Sequence, residues 1–173
     1  MFQRILVALD RTQNSRAILE ESIALAKPGG AQLHLVTVLP PMETGFVDPM
    51  YFSVEGIHGV WTTELYQNRM VSWQQQRQEI EHWLKSQTDH AHRQHVSADY
   101  SCPMGVPGNT LCELATSWNA DLIMMGRRGR KGFSELLLGS VSNYVMHHAP
   151  CSVLTVQGLS QPAVANAVPN VPG

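Results

Sequence analysis

Residues 5–9, ILVAL, form a short apolar run bounded by Arg4 and Asp10. A run of this length without a polar break reads as a strand buried on both faces. Residues 33–38, LHLVTV, read as a second buried strand that stops at Pro40-Pro41. Between them Ile18, Leu19, Ile23, Leu25 and Ala26 recur at helical spacing, which predicts a helix over 15–26. Thr12 or Asn14 can cap its start, and Lys27-Pro28-Gly29-Gly30 stops it. Strand, helix, strand with short turns is a βαβ unit, whose crossover is right-handed in nearly all cases.

Residues 39–60 carry prolines, glycines and the aromatics Tyr51 and Phe52 without periodicity, so a long loop is predicted. Helical spacing returns over 62–87, where Tyr66, Met70, Trp73, Ile80 and Leu84 make an apolar stripe interrupted by Arg77. Such a stripe faces a core far more often than a cofactor. Residues 95–101 alternate weakly through Val96, Ala98 and Tyr100 and predict a third strand. A turn at 103–108 follows, then a helix capped by Asn109 or Thr110 and running to about Trp118. Residues 122–125 predict a fourth strand, 140–148 a last helix ended by Pro150, and 152–156 a fifth strand. Strands alternating with helices in this way predict an α/β fold: an open parallel sheet with helices on both faces. The expected domain is 1–157, with a patternless flexible tail over 158–173.

Composition narrows the function. The chain has 173 residues, of which 43% are hydrophobic and 15% charged, with a formal net charge of −2. That balance suits one domain with a full core and offers no electrostatic footprint for nucleic acid or an anionic membrane. Cys102, Cys112 and Cys151 are far apart and lack zinc-like spacing, so reduced thiols are expected. The opening MFQRILVALD is too short an apolar run for a secretory signal, and no segment is long enough to span a bilayer. A cytoplasmic protein is the resulting expectation.

The candidate chemistry lies in the stretch between the fourth strand and the last helix. Gly126, Gly129 and Gly132 are interleaved there with Arg127, Arg128, Arg130 and Lys131, and Gly139-Ser140-Val141-Ser142 opens the helix. Glycine lets backbone N–H groups converge on an anion, and a helix start adds unpaired donors and a positive dipole end. In an open α/β fold ligands sit at the carboxyl ends of the strands, where Asp10, Val38 and Gly126 all fall. Neither GxxxxGK[ST] nor a GxGxxG after the first strand is present, which removes P-loop and ordinary dinucleotide-binding readings. His90, His92 and His95, placed between a loop and a strand start, have no carboxylate or cysteine at ligand spacing and read as surface residues. No Ser/His/Asp or Cys/His arrangement is apparent, and no catalytic residue is nominated.

The spacing Gly126-x2-Gly129-x9-Gly139-Ser140 resembles the nucleotide signature of the universal stress protein family, of the ATP-binding type. RILVALD, LHLVTVLPP, GVPGNTLCELATSWNADLIMMGRRG and HHAPCSVLTV are similar to further parts of that family, and the resemblance is weakest over 41–95. It implies a Rossmann-like adenine nucleotide-binding fold with five parallel strands in the order 3-2-1-4-5. It also implies roles for particular residues. Asp10 would lie near ribose and phosphates, with Mg²⁺ or Mn²⁺ as a possible companion, Ala8 beside base or ribose, and the main chain of Val38 against adenine. Met125, Gly126, Arg128 and Gly129 would line ribose and phosphates, while Gly139, Ser140, Val141 and Ser142 would hold the phosphate chain. Where members often have Gly-Ser after the aspartate, this chain has Arg11-Thr12. Arg11 could reach the phosphates or crowd the entrance.

The resemblance implies a regulatory protein that binds ATP, ADP or AMP and acts through nucleotide-dependent conformation or assembly. It also implies a homodimer paired through the last strand, 152–156. The competing expectation is a slow ATPase or nucleotidyl or phosphoryl transferase on the same scaffold. That class needs a group to position water or an acceptor, and no obvious base beyond Asp10 is found.

Overall fold

The computed structural model describes residues 1–12, 14–41, 58–127 and 139–157. The strands are β1 (Arg4–Ala8), β2 (Gln32–Val36), β3 (Ala98–Ser101), β4 (Leu122–Gly126) and β5 (Ser152–Val156). The helices are α1 (Asn14–Ala26), α2 (His58–Arg93), α3 (Pro107–Ser117) and α4 (Ser140–His148). The five strands form one sheet in the order β3-β2-β1-β4-β5, and every pairing is parallel. This is the expected fold class and strand order.

Successive side chains of each strand take opposite faces, and along β1, β2 and β4 both sets are buried. Ile5, Val7, Leu33, Leu35, Leu122 and Met124 pack into one layer with Ile18, Leu19 and Ile23 of α1 and Ile80 and Leu84 of α2. Leu6, Val36, Ile123 and Met125 pack into the other with Leu111 and Ala115 of α3 and Val145 of α4. Both faces are therefore covered, which is why the strands read as continuous apolar runs. At the amino edge, Asp121 accepts hydrogen bonds from the N–H groups of Gln3 at 2.7 Å and Arg4 at 3.2 Å, and so fixes the start of β1 beside β4.

Several boundaries differ from the sequence reading. α2 starts earlier than 62, at His58 with Gly59 inside it, and ends later than 87, because no glycine or proline interrupts the chain between Val60 and Cys102. His90 and His92 therefore sit in its last turn rather than in a loop. His90 Nε2 lies 2.9 Å from Glu20 Oε1, and His92 Nε2 lies 2.8 Å from the Ala98 carbonyl. His95, at φ 63°, turns the chain out of the helix, with its N–H bonded to the His92 carbonyl and that of Val96 to Ala91. β3 consequently begins at Ala98 instead of His95.

α3 is started by Pro107 at its first turn, after Val106, rather than by a side-chain cap from Asn109 or Thr110. Proline's fixed φ suits that position and its missing N–H is no loss there. β2 ends at Val36, and Leu39 instead makes an isolated parallel bridge to Met104. Of the predicted loop, 42–57 lies outside the described residues and the remainder from His58 is helical. The tail, 158–173, also lies outside them, as does the side chain of Tyr66. Trp73, Ile80 and Leu84 of the stripe do pack against the core.

His34, only 9% exposed, is held through both ring nitrogens on the α3 side of the sheet. Nδ1 faces Asp99 Oδ1, Nε2 lies 2.8 Å from Ser101 Oγ, and the ring tilts against Trp118. Parallel pairing of β2 with β3 creates this set by placing His34 opposite Asp99. A buried imidazole so satisfied stabilises the sheet edge. The prediction is that His34→Ala, which strips Asp99 and Ser101 of their partner, lowers unfolding free energy by about 1–3 kcal/mol in urea titration.

Close packing of α3 on α4 depends on Gly108. A Cβ there would lie 2.6 Å from Tyr144 Cδ1, inside van der Waals contact. Tyr144 is itself stacked on His148, with ring centroids 4.0 Å apart. Gly108→Val should cost about 1–3 kcal/mol through overpacking. Combining it with Tyr144→Ala should recover part of that loss, giving a coupling energy in a double-mutant cycle; purely additive effects would refute the contact.

The three cysteines are free and half-buried. Burial pushes the thiols of Cys102, Cys112 and Cys151 above their ordinary value. Because only the thiolate attacks, alkylation by iodoacetamide near neutral pH is expected to be slow in the folded protein. It should accelerate both on raising the pH and on adding denaturant, as peptide mass spectrometry can follow.

Candidate functional site

Because every strand is parallel, all five carboxyl ends emerge along one edge, and the chain segments leaving them converge there. Ala8 ends β1 and Leu9 and Asp10 follow it, Val36 ends β2 and Thr37 to Pro40 follow it, and Met125 and Gly126 end β4. Together with Gly139, Ser140, Val141 and Ser142 at the start of α4 they line one cavity of about 450 Å³. That volume is in the range of small-molecule sites. Of the nominated residues, Arg128 and Gly129 lie outside the described residues; all the others line this cavity.

The amino end of α4 is clamped to the end of β4. The Gly139 N–H donates to the Arg127 carbonyl at 3.0 Å, and Arg127 N–H donates to Val156 in β5 at 3.0 Å. The Ser142 hydroxyl, 2% exposed, lies 2.9 Å from both the Arg127 and Gly139 carbonyls and can donate to either. Its proton is thus directed at the backbone, and what position 142 offers a ligand is main chain. Gly139, the N-cap, has no side chain, so among the described residues the N-cap position supplies no side-chain cap to the first-turn donors. The first intrahelical bond, from Asn143 N–H to the Gly139 carbonyl, is in place at 2.9 Å. An uncapped helix start at a cavity wall favours anions through its N–H groups and its dipole.

Asp10 shapes the turn between β1 and α1. Its Oδ1 accepts from Thr12 N–H at 3.1 Å, Thr12 Oγ1 at 2.6 Å and Ser15 Oγ at 3.0 Å. Three donors occupy the acceptor capacity of that oxygen. Among the described residues no group of three His, Cys, Asp or Glu side chains could hold a metal ion. The donor set therefore does not form a protein cage for Mg²⁺ or Mn²⁺; one carboxylate suits only an ion held largely by phosphate and water.

Arg11 emerges from this turn at φ 61°. The left-handed region costs a residue with a Cβ about 1–2 kcal/mol, and it is where glycine fits without strain. The side chain reaches across to α2, with Nη1 3.5 Å from Glu79 Oε2. Both partners are well exposed, and pairs of that kind contribute about 0–1 kcal/mol. The ion pair therefore does not by itself offset the backbone conformation.

Other walls of the cavity were not nominated from sequence. α2 supplies Gln76 and Ile80, α3 supplies Pro107 and Leu111, and the segment after β2 adds Thr37 and Leu39. Thr37 Oγ1 donates to the Leu9 carbonyl at 2.9 Å, locking the two strand ends together. Its place directly after β2 was a usable signal; nothing in the sequence marks Gln76 or Pro107. The carboxylate–imidazole–hydroxyl chain through His34 was also missed, since its members lie 65 and 67 positions from His34. It has the hydrogen-bonding order of a serine hydrolase relay but belongs to the sheet edge, outside this cavity's lining. Among the described residues no helix is long and apolar enough to cross a membrane.

Residues 1–157 match the model of the universal stress protein family. The chain is 34% identical over 156 residues to universal stress protein Sll1388 of Synechocystis, covering 90% of this chain and 98% of that protein. A solved universal stress protein in complex with cAMP has a TM-score of 0.57 at 21% identity, covering 90% of this chain and 96% of that one. A universal stress protein family structure from Arabidopsis thaliana, with AMP bound, has a TM-score of 0.59 at 16% identity, covering 95% of this chain and 97% of that one. At these identities the structural likeness speaks for the fold, whereas the family match and the Synechocystis relative speak for descent. The chain belongs to the universal stress protein family.

Proposed function

We propose that this protein binds an adenine nucleotide, ATP or its di- and monophosphates, at the carboxyl edge of the sheet. In this reading it acts as a regulator whose conformation or assembly follows the nucleotide. The observation that carries the reading is the meeting of a mostly apolar cavity with the uncapped start of α4. Ala8, Val36, Val38 and Leu111 provide an apolar lining suited to a base, whose edge the main chain of Val38 would pair with. The first-turn N–H groups of Ser140, Val141 and Ser142 suit the phosphates. Complexes of family members with cAMP and AMP support the ligand class.

A binding role is preferred to an ATPase or transferase because Asp10, the acidic residue that lines this edge among the described residues, has one carboxylate oxygen committed. Asp10 Oδ1 is held by Thr12 and Ser15, which suits a turn-former and poorly suits a general base. Mg²⁺ or Mn²⁺, if recruited, would meet Asp10 alongside phosphate oxygens and would neutralise the charge of the phosphate chain.

Isothermal titration calorimetry with AMP, cAMP, ADP and ATP tests the reading; no heat from any of them at millimolar concentration would end it. Gly139→Val is the matching variant. With φ −61° and ψ 154° the position accepts any L-residue, so the fold should survive by circular dichroism. The branched side chain would crowd the phosphate donors, and binding should weaken by about tenfold or more.

The same reading extends to assembly. β5 is an edge strand, and Leu154 on it is 43% exposed. An uncovered apolar edge invites pairing with a second copy of the chain. A dimer is expected by light scattering after size exclusion, and Leu154→Lys should shift it towards monomer.

A further inference from the structure

Arg11 and Glu79 join two walls of the cavity. Asp10, directly before Arg11, lines it, and so do Gln76 and Ile80 on either side of Glu79 in α2. α2 packs mainly on β2 and β3, so the Arg11–Glu79 contact is a strap from α2 to the turn after β1. The strap is long at 3.5 Å, and its side chains are 38% and 67% exposed. It is therefore weak and exchangeable, yet the chain holds Arg11 in a left-handed conformation at this point. Strain of that kind, maintained by the hydrogen bonds of Asp10 around it, is typical of residues whose side chain is used.

A guanidinium carried by the residue next to a cavity-lining carboxylate has a better partner available than one solvated carboxylate. Phosphate oxygens accept its forked donors in pairs and carry more charge. The cavity presents its anion-favouring helix start as one wall and Asp10, the residue before Arg11, on another. A ligand with a single phosphate can be satisfied by the first wall alone, whereas a longer phosphate chain must extend beyond it.

We propose that Arg11 reads phosphate-chain length: it leaves Glu79 for the distal phosphates of a nucleoside di- or triphosphate, and in doing so releases the strap on α2. The proposal rests on the nucleotide-binding reading above and adds to it a preference among nucleotides and a way for α2 to sense them. Glu79 is the internal competitor, so removing its charge strengthens the response and removing Arg11 abolishes it.

The test is calorimetry of the full chain with AMP, ATP and inorganic tripolyphosphate, comparing wild type with Arg11→Gly and Glu79→Gln. Glycine suits the left-handed backbone, so Arg11→Gly should keep the fold and raise the thermal midpoint. The ratio of ATP to AMP affinity is expected to fall about tenfold in Arg11→Gly and to rise roughly two- to threefold in Glu79→Gln. An unchanged ratio in Arg11→Gly would overturn the proposal, and so would a ratio lowered by Glu79→Gln. Arg11-dependent binding of tripolyphosphate without any binding of AMP would keep the proposal and remove the adenine reading. Absence of binding by all three ligands would remove both.

Discussion

Parallel pairing of β1 with β2 on one side and β4 on the other is the constraint from which the rest of the molecule follows. A parallel neighbour cannot be reached by a tight turn, so each strand must be followed by a crossover. The crossovers cover both faces and bury the strands. They also bring three strand ends, remote in sequence, to one edge. The cavity exists because those ends stop at nearly the same level while α2, α3 and α4 rise beside them. Its floor is the carboxyl edge of the core, and its walls are the segments leaving the strands, the first turns of α3 and α4 and the middle of α2.

Two small hydrogen-bond assemblies convert that edge into a shaped site. At β1, the Asp10 carboxylate gathers Thr12 and Ser15, starts α1 and turns Arg11 outward towards α2. At β4, Arg127 is tied through its N–H to β5 and through its carbonyl to Gly139, which fixes where α4 begins. Ser142 reinforces that junction from inside the helix. Each assembly satisfies backbone or carboxylate groups that would otherwise be left at a partly buried edge, so stability and site geometry share the same bonds. The α4 donors are spared from this because the N-cap residue is glycine. A serine at 139 could have closed them with its own hydroxyl.

Much of the fold was legible because both faces of the sheet are covered. Apolar runs marked β1 and β4 without a break, β2 despite His34 and β5 despite Thr155, while β3 at the edge, with Tyr100 exposed, gave only a weak alternation. The limits of α2 were missed because local composition near His90 and His92 is polar. The helix is sustained there by packing of Ala91 in the core, by the buried Thr88, whose hydroxyl donates to the Leu84 carbonyl, and by the absence of any breaker. The start of α3 was misplaced because a good capping residue at 109 or 110 competes in sequence with a proline at 107. The proline prevails because it is preorganised for a first turn.

What the sequence determined alone was the set of strand-end residues and the glycine-marked helix start. Their chemistry is carried by residue type: a carboxylate that turns a chain, glycine that leaves N–H groups uncovered, hydroxyls that bond to backbone. Family membership was legible for the same reason. Tertiary structure decided which of these face one another and what closes the cavity over them. Gln76, Ile80, Pro107 and Leu111 are walls only because α2 and α3 lie at particular places over the sheet. It likewise paired Arg11 with Glu79 and His34 with Asp99 and Ser101. These contacts join residues dozens of positions apart, through strand register and helix placement, and nothing in local sequence encodes such distances.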